Sequence, residues 1–243
     1  MRMAVAGASG LIGAQLTRLA RAEGHDVVEL SRTSGVDLTE PGSVGARLDG
    51  VDVVVDVTGP PPGKDPVRFF TSVAENLGRA AAASGVARTM VLSIVGVDRS
   101  QDYPFYVATL AHETATRRAA PHVHVLRSTQ FHEFPDMVLG RSLRRGVAEV
   151  VDMPTQPVAS AEVARTLLDL AAGRIEGDVD LAGPRAERLV DLVRDVVRLT
   201  GRRIDVVPVP APVSMAGGSL LPGPGALIRG VDWHTWAEER YRA

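Results

Sequence analysis

The chain has 243 residues, a formal net charge of −2 and no cysteine. Its length suits one large α/β domain, or one domain with a small appendage. The weak net charge gives no electrostatic reason to expect a nucleic acid or a membrane surface as a partner. The lack of cysteine excludes a disulfide framework, a thiol nucleophile and a thiolate metal site, and it suits the reducing cytoplasm, where we expect the protein to act.

The amino terminus resembles a secretory signal only at its first residues. Arg2 precedes an apolar run that glycine interrupts at Gly7, so the run falls short of the roughly 7–15 apolar residues of a signal peptide. No run approaches the roughly 18 apolar residues of a membrane span, and we therefore expect a soluble protein.

Strand and helix patterns alternate through the first half of the chain. The apolar runs predict strands at residues 3–6, 26–30, 36–38, 51–57, 89–95 and 123–127. Helical periodicity predicts helices from residue 11 onward and at 43–48, 67–84 and 104–119, with Gly85 as a cap. Such alternation indicates right-handed βαβ units and a doubly wound parallel sheet.

The alternation is looser beyond residue 128. The patterns there predict helices at 134–145, 161–172 and 186–200, and strands at 147–151, 178–181 and 204–207. Residues 208–225 are rich in proline, glycine and alanine, which predicts a loop that forms a mobile flap. Trp233 and Trp236 lie on a predicted terminal helix, where we expect them to anchor packing.

Three glycines, Gly7, Gly10 and Gly13, join the first predicted strand to the first predicted helix. A strand that turns through glycines into a helix directs backbone N–H groups and a positive helix end at one point, which suits a pyrophosphate. The spacing is G-x-x-G-x-x-G, and its position directly before an amphipathic helix distinguishes it from an ordinary small-residue turn. The pattern predicts a Rossmann-type dinucleotide site that includes Gly7, Ser9, Gly10, Leu11, Ile12 and Gly13.

The end of the second predicted strand indicates which dinucleotide is bound. NAD sites commonly carry an acidic residue about 20 residues after the glycines, where it binds the ribose 2′-hydroxyl. This chain has Ser31 and Arg32 instead. A hydroxyl and a guanidinium favour a 2′-phosphate and therefore NADP(H). A solvated Arg32 and a ribose contact from Glu29 remain alternatives.

The sequence resembles the atypical short-chain dehydrogenases/reductases, specifically their NmrA-like, NAD(P)H-binding group. The resemblance extends to about residue 207 and rests on residues 7–13, 24–27, 30–32, 36–38, 92–97, 126–134 and 181–184. It implies that Asp37 and Leu38 flank the adenine, and that Val57, Thr58, Gly59 and Pro60 line the ribose and diphosphate. It further implies that Ser93, Thr129, Gln130, Phe131 and His132 lie beside the nicotinamide and the substrate. Residues 1–128 would then form the NADP(H)-binding core, and residues 129–243 a smaller substrate-covering region packed on it.

The chain departs from the wider family at the catalytic dyad. Reductases of that family carry Tyr-x-x-x-Lys on the helix that here spans about 104–119. The matching positions hold Phe105 and Thr109, which supply neither a proton donor nor a charge. Because Lys64 is the only lysine in the chain, no other register restores the dyad.

Other side chains are candidates for delivering a proton. Tyr103, Tyr106 and His132 are the catalytic candidates, although Tyr106 also suits packing and His132 a structural hydrogen bond. We expect His112 to face solvent or a partner helix. Lys64 lies in a loop over the predicted cleft, where it either clamps an anionic group or remains solvated. His122, His124, His132, Glu133 and Asp136 lack metal-ligand spacing, so we expect no metal site.

These features favour an NADPH-dependent oxidoreductase acting on a small, largely apolar organic molecule. The missing dyad leaves two alternatives open: a non-catalytic NmrA-like dinucleotide sensor, and a non-redox enzyme such as a cyclase or dehydratase. The expected partner is a small-molecule substrate, with a homodimer left open.

Overall fold

The computed structural model describes residues 1–242 and contains two compact units. The first unit comprises Met1–Ser93, Pro104–Arg127 and Val163–Val179; the second comprises Ile94–Tyr103, Ser128–Glu162 and the chain from Asp180 onward. Each unit therefore combines segments that are distant in sequence. The predicted boundary at residue 128, between a cofactor core and a substrate-covering region, stays a prediction about function.

Short strands and helices follow one another along residues 1–242. The strands are β1 (Arg2–Ala6), β2 (Asp26–Leu30), β3 (Val53–Asp56), β4 (Arg88–Ile94), β5 (Val123–Ser128), β6 (Leu143–Arg144), β7 (Val147–Val151), β8 (Pro154–Thr155), β9 (Val179–Ala182), β10 (Glu187–Arg188), β11 (Asp205–Val209) and β12 (Leu227–Ile228). The helices are α1 (Leu11–Ala22), α2 (Pro66–Ala83), α3 (Pro104–Ala119), α4 (Phe134–Ser142), α5 (Ser160–Ala171), α6 (Leu189–Leu199), α7 (Val213–Ala216) and α8 (Trp233–Tyr241). No helix among these is both long and apolar enough to cross a membrane.

The central sheet has seven parallel strands in the order β12-β9-β5-β4-β3-β1-β2, flanked by helices. This arrangement confirms the predicted Rossmann-type α/β fold. The order reverses at β1, because the chain builds outward first on one side, with β2, and then on the other, with β3. β3 is buried along its whole length, as expected of a strand covered on both faces.

The register of the first three strands determines where their loops begin. Ala6 of β1 pairs with Leu30 of β2 on one side and with Asp56 of β3 on the other. All three strands therefore end at the same level of the sheet. The loops that follow them, at residues 7–10, 31–35 and 57–65, begin side by side.

Two predicted elements were wrong in type. Residues 36–38 form no strand, because the backbone N–H groups of Ser34 and Val36 both donate to the carbonyl oxygen of Ser31 and close a turn after β2. Val36 and Leu38 nevertheless lie in the apolar core beneath β1, while Asp37 points outward. Burial produced the alternation without strand pairing. Residues 43–48 contain only a 3₁₀ turn, Gly45–Leu48, in place of a helix.

Most other elements lie within a few residues of their predicted positions. α3 and β7 have the predicted bounds, and Gly85 follows the end of α2 with a φ of +70°. The predicted loop at 208–225 contains one short helix, α7, so that prediction was incomplete. In the second unit Trp233 is buried, and its indole N–H donates to the carbonyl oxygen of His132 at 3.0 Å, which confirms its anchoring role.

Candidate functional site

A cavity of about 660 Å³ lies within the first unit, at the edge where β1, β2 and β3 end. Its volume falls in the range of about 300–1,000 Å³ that is typical of small-molecule sites. The loops after the three strands and the start of α2 form its walls. The predicted site residues that line it are Gly7, Ser9, Gly10, Ser31, Arg32, Asp37, Leu38, Val57, Thr58 and Gly59.

The glycine turn exposes backbone to this cavity. Gly7 has a φ of +83°, and its N–H donates to the carbonyl oxygen of Leu30 at 2.9 Å. A β-carbon at Gly7 would lie 2.9 Å from the carbonyl oxygen of Val57, which also lines the cavity. Glycine is required here both for the backbone angle and for the close approach of the two loops.

The amino-terminal end of α1 lies at the same place. Gly10 is the N-cap residue and offers no side chain to the first turn, so the N–H groups of that turn remain available to a ligand. At α2, by contrast, the carboxylate of Asp65 accepts the N–H of Arg68 at 2.8 Å. An uncapped helix start at the wall of a glycine-lined cavity suits a pyrophosphate, so the residues present fit a dinucleotide.

Several predicted cofactor residues do not line the cavity. These are Leu11, Ile12, Gly13, Pro60, Ser93, Thr129, Gln130 and Phe131. Ile12 and Gly13 are buried where α1 packs on the loop, so they act on the site only through the packing. A β-carbon at Gly13 would lie 2.2 Å from the carbonyl oxygen of Gly7, and this contact makes Gly13 a structural requirement.

The predicted nicotinamide wall belongs to the second unit. There the hydroxyl of Thr129 donates to the carbonyl oxygen of Gln156, and the side-chain oxygen of Gln130 accepts from Thr155. Phe131 forms a β-bridge with Val158. These three residues are tied to the segment at 155–158, and their proposed contact with a nicotinamide stays a prediction.

The turn after β2 presents Arg32 to the cavity. Ser31 caps the turn, since its hydroxyl accepts the N–H of Ser34 and contacts the hydroxyl of Thr33 at 2.8 Å. Arg32 is exposed, and no carboxylate of residues 1–242 lies within ion-pair distance of it. Glu29, the alternative ribose ligand, instead forms an ion pair with Arg21 at 2.8 Å and does not line the cavity.

Asp37 lies on the same wall, and its surroundings stabilise the ionised carboxylate. The side-chain hydroxyl and the backbone N–H of Thr39 donate to its carboxylate at 2.7 and 2.9 Å. These hydrogen bonds lower the pKa of Asp37, and the positive charges of Arg32 and Lys64 lower it further. The carboxylate is therefore ionised and held within its own loop.

The sequence prediction missed part of the wall that α2 contributes. Arg68, Phe69 and Ser72 on the first turns of α2 line the cavity, and so does the loop residue Lys64. Asp65 followed by Pro66 is a typical helix start, and it would have placed these residues at the edge of the site. Lys64, by contrast, was predicted to lie over the cleft.

A buried contact between an aspartate and a histidine supports the loop after β3. The carboxylate of Asp56 lies 2.9 Å from Nε2 of His112 and also accepts the N–H of Thr58 at 2.9 Å. Burial alone would raise the pKa of Asp56, but the charge and hydrogen bond of His112 and the N–H of Thr58 together lower it. Of the two surroundings expected for His112, solvent was wrong and a partner helix was right: the ring is buried and stacks on Phe70 of α2 at 4.5 Å.

A second buried network occupies the position where the resemblance places a nicotinamide contact. Ser93 donates a hydrogen bond to the carboxylate of Glu113, and Arg127 donates two more to the same carboxylate, at 2.9 and 2.8 Å. The side chain of Glu113 is only 4% exposed. The hydroxyl of Ser93 is thus engaged in a hydrogen bond in the interior of the first unit.

The positions of the missing dyad offer no replacement. Thr109 is buried, and its hydroxyl donates to the carbonyl oxygen of Phe105 within α3. Tyr106 is also buried, and its ring lies 6.2 Å from that of Phe105. The side chain therefore packs in the interior, which was the alternative to a catalytic role. Tyr103 precedes α3 and is 42% exposed. Of the two tyrosines, only Tyr103 is open to solvent.

The environment of His132 contradicts a role as a proton donor at neutral pH. The side chain is 1% exposed, its Nε2 lies 3.1 Å from the carbonyl oxygen of Pro157, and its ring packs on Trp236. Burial lowers the pKa of His132 to about 4, so the ring is neutral at pH 7. An imidazole without its proton cannot act as a general acid, and His132 is a structural hydrogen-bonding residue.

We expect His132 to make the folded state sensitive to mild acid. Its pKa falls from 6.5 to about 4 on folding, so protonation favours the unfolded chain. Its contribution is complete above pH 6.5, is lost as the pH falls toward 4, and amounts to about 3 kcal/mol over that window. Urea unfolding at pH 7, 5.5 and 4.5 should show a steeper loss in the wild type than in His132→Gln. Parallel curves would contradict the assignment.

Within residues 1–242, no group of three or more His, Asp or Glu side chains is arranged to hold a metal ion. His122 adopts a φ of +39° before β5, and His124 lies two residues further, on the strand itself.

Comparisons with known proteins show the fold but no family. No protein-family model matches the sequence, and no curated protein sequence matches it. Among solved structures, a dTDP-4-dehydrorhamnose reductase from Clostridium acetobutylicum is similar with a TM-score of 0.75 and 15% identity, over 100% of this chain and 98% of that chain.

Two further structures extend the likeness. An NADPH-dependent quinone oxidoreductase from Escherichia coli, complexed with NADPH, has a TM-score of 0.74 and 15% identity over 98% of this chain and 99% of that chain. An NAD-dependent NDP-hexosamine 5,6-dehydratase involved in tunicamycin biosynthesis has a TM-score of 0.71 and 16% identity, over 99% of this chain and 97% of that chain. At these identities the likeness establishes the Rossmann-type fold alone.

Proposed function

We propose that the chain is an NADP(H)-dependent oxidoreductase of the atypical short-chain dehydrogenase/reductase type, in the NmrA-like group, acting on a small, largely apolar organic molecule in the cytoplasm. The observation that carries the proposal is the cavity in which an exposed, unpaired Arg32 shares a wall with the glycine turn and the start of α1. Pyrophosphate and 2′-phosphate recognition thus belong to one site. Solved structures with the same fold include one complexed with NADPH and one that is NAD-dependent, so the choice of dinucleotide rests on Arg32.

The chain's own residues have separable tasks in this proposal. The N–H groups at the start of α1 bind the pyrophosphate, and Arg32 binds the 2′-phosphate. Asp37 and Leu38 flank the adenine. The dinucleotide, when bound, supplies or accepts the hydride, while the protein orients it and excludes water. Because His132 is neutral and Tyr106 is buried, Tyr103 or water delivers the proton.

Arg32 provides a direct test of the choice between dinucleotides. We expect Arg32→Met to weaken NADP⁺ binding roughly ten- to hundredfold, since a charge-assisted hydrogen bond to phosphate contributes about 1.5–3 kcal/mol. Binding of NAD⁺ should change little, because NAD⁺ has no 2′-phosphate. Isothermal titration calorimetry measures both affinities. Arg47→Met, which removes an exposed arginine outside the cavity, is the control; equal losses for both dinucleotides would contradict the assignment.

Turnover requires a separate measurement. We expect loss of NADPH absorbance when carbonyl, quinone or enone compounds are added to the wild-type protein. Tight binding of NADPH without oxidation across all three classes would contradict an oxidoreductase and support the second candidate.

That second candidate is a non-catalytic dinucleotide sensor. The observation that favours it is the set of side chains at the catalytic positions: Phe105 and Thr109 replace the dyad, and Ser93 is held by Glu113. A sensor would bind both redox forms and change its affinity for a partner protein. The oxidoreductase proposal, by contrast, names a small organic molecule as the partner and includes assembly of the chain as a homodimer.

A further inference from the structure

Lys64, the only lysine in the chain, lies in the loop between β3 and α2 and lines the cavity. The loop is anchored at both ends, by Asp56 binding the N–H of Thr58 and by Asp65 capping α2. The backbone N–H of Lys64 donates to the carbonyl oxygen of Pro61 at 3.2 Å, so the residue sits in a turn. The loop therefore places Lys64 at the wall of the site.

The ammonium group of Lys64 is available to a ligand. Lys64 is exposed, and no carboxylate among residues 1–242 lies within ion-pair distance of it. Of the acids on the cavity wall, Asp37 is bonded to Thr39 and Asp65 to the N–H of Arg68, while Glu40 is exposed to solvent. Arg32 and Lys64 therefore form no ion pair within residues 1–242, although the charges of both lower the pKa of the nearby Asp37.

Asp37 shows that Lys64 and Arg32 act on the same place. The carboxylate of Asp37 is influenced by the charges of both residues, although one follows β2 and the other follows β3. Lys64 and Arg32 thus line the same cavity as Asp37, each from a different loop.

We propose that Lys64 and Arg32 form a two-cation site for the 2′-phosphate of NADP(H), with Lys64 as a specificity-determining residue. This inference rests on the proposed function. A phosphate monoester carries nearly two negative charges at neutral pH, and two cations from separate loops match that charge. The guanidinium of Arg32 binds phosphate oxygens in a fixed fork, whereas the ammonium of Lys64 adds a mobile point charge.

The first experiment compares Lys64→Met, Lys64→Arg and the control Arg47→Met by calorimetry. NADP⁺, NAD⁺ and adenosine 2′,5′-bisphosphate are the probes. We expect Lys64→Met to weaken the two 2′-phosphorylated ligands about tenfold and to leave NAD⁺ within about twofold. Lys64→Arg should retain most of the affinity because it keeps the charge. An equal loss for NADP⁺ and NAD⁺ would place Lys64 on the diphosphate and overturn the inference, as would no loss at all.

The second experiment uses the fact that Lys64 is the only lysine. An amine-reactive acetylating reagent modifies only Lys64 and the amino terminus, and peptide mass spectrometry quantifies each. We expect saturating NADP⁺ or adenosine 2′,5′-bisphosphate to protect Lys64, and saturating NAD⁺ to protect it much less. Equal protection by both dinucleotides would overturn the assignment to the 2′-phosphate.

The two proposals fail in different ways. A wild-type protein that binds neither NADP⁺ nor NAD⁺ overturns the proposed function. A wild-type protein that prefers NADP⁺, together with an unaffected Lys64→Met variant, overturns only the role of Lys64.

Discussion

Gly13→Ala should lower the free energy of unfolding by about 3 kcal/mol and remove most of the dinucleotide binding. The added β-carbon would lie 2.2 Å from the carbonyl oxygen of Gly7 and 2.8 Å from the α-carbon of Ala8. Both are backbone atoms, so no side-chain rotation relieves the clash, and α1 must move away from the glycine turn. Alanine favours a helix over glycine by only about 1 kcal/mol, which is too little to compensate.

Gly140→Ala is the matched control for this substitution. Gly140 lies inside α4, and a β-carbon there would meet nothing within 4 Å. That variant should be neutral or more stable by up to about 1 kcal/mol. Urea unfolding and calorimetry with NADP⁺ measure both variants. If Gly13→Ala unfolds at the wild-type midpoint, the close packing of α1 on the turn is refuted.

Arg127→Met should destabilise the protein by about 3–5 kcal/mol, because it leaves the buried carboxylate of Glu113 without its cation. Arg127 donates two hydrogen bonds of 2.9 and 2.8 Å to that carboxylate, and Ser93 donates another. The substitution removes the first two and keeps only the neutral donor. Replacing both members of the pair, in Arg127→Met with Glu113→Leu, should recover part of the loss, since no unpaired charge then remains.

Arg118→Met is the control, because it removes the same side chain from an exposed pair. Arg118 lies 2.9 Å from Glu75, and its side chain is 70% exposed. Exposed pairs of this kind contribute about 0–1 kcal/mol, so the urea midpoint should hardly shift. Similar losses for Arg118→Met and Arg127→Met would contradict the claim that burial of Glu113 sets the difference.

Local chemistry made much of the fold predictable. The buried apolar run of β3, the glycine turn before α1 and the proline at the start of α2 each reflect a constraint within a few residues. The wrongly predicted strand at residues 36–38 shows where local patterns mislead, because its alternation of apolar residues has a cause elsewhere in the fold. Val36 and Leu38 alternate like a strand because they fill the core beneath β1, while hydrogen bonds to Ser31 close the backbone into a turn.

The candidate site divides in the same way. Gly7, Gly10 and Arg32 were predicted from the sequence because their roles depend on backbone freedom, position after a strand, and charge. The contribution of Arg68 and Phe69 was missed because it depends on where α2 begins relative to the loops. The sequence left His132 open between a catalytic and a structural role, because a histidine's pKa depends on burial, which its sequence neighbours do not reveal.

The sequence by itself determined that this chain builds a parallel sheet, that its first loop is a glycine turn, and that it has one lysine and no catalytic dyad. These are properties of composition and of short-range backbone geometry. Only the tertiary structure decided which charges are paired: it pairs Glu29 with Arg21 and Glu113 with Arg127, and within residues 1–242 it leaves Arg32 and Lys64 without an ion pair at one cavity. The reason is that ion pairing depends on distances between segments far apart in sequence, and these distances exist only once the strands have aligned.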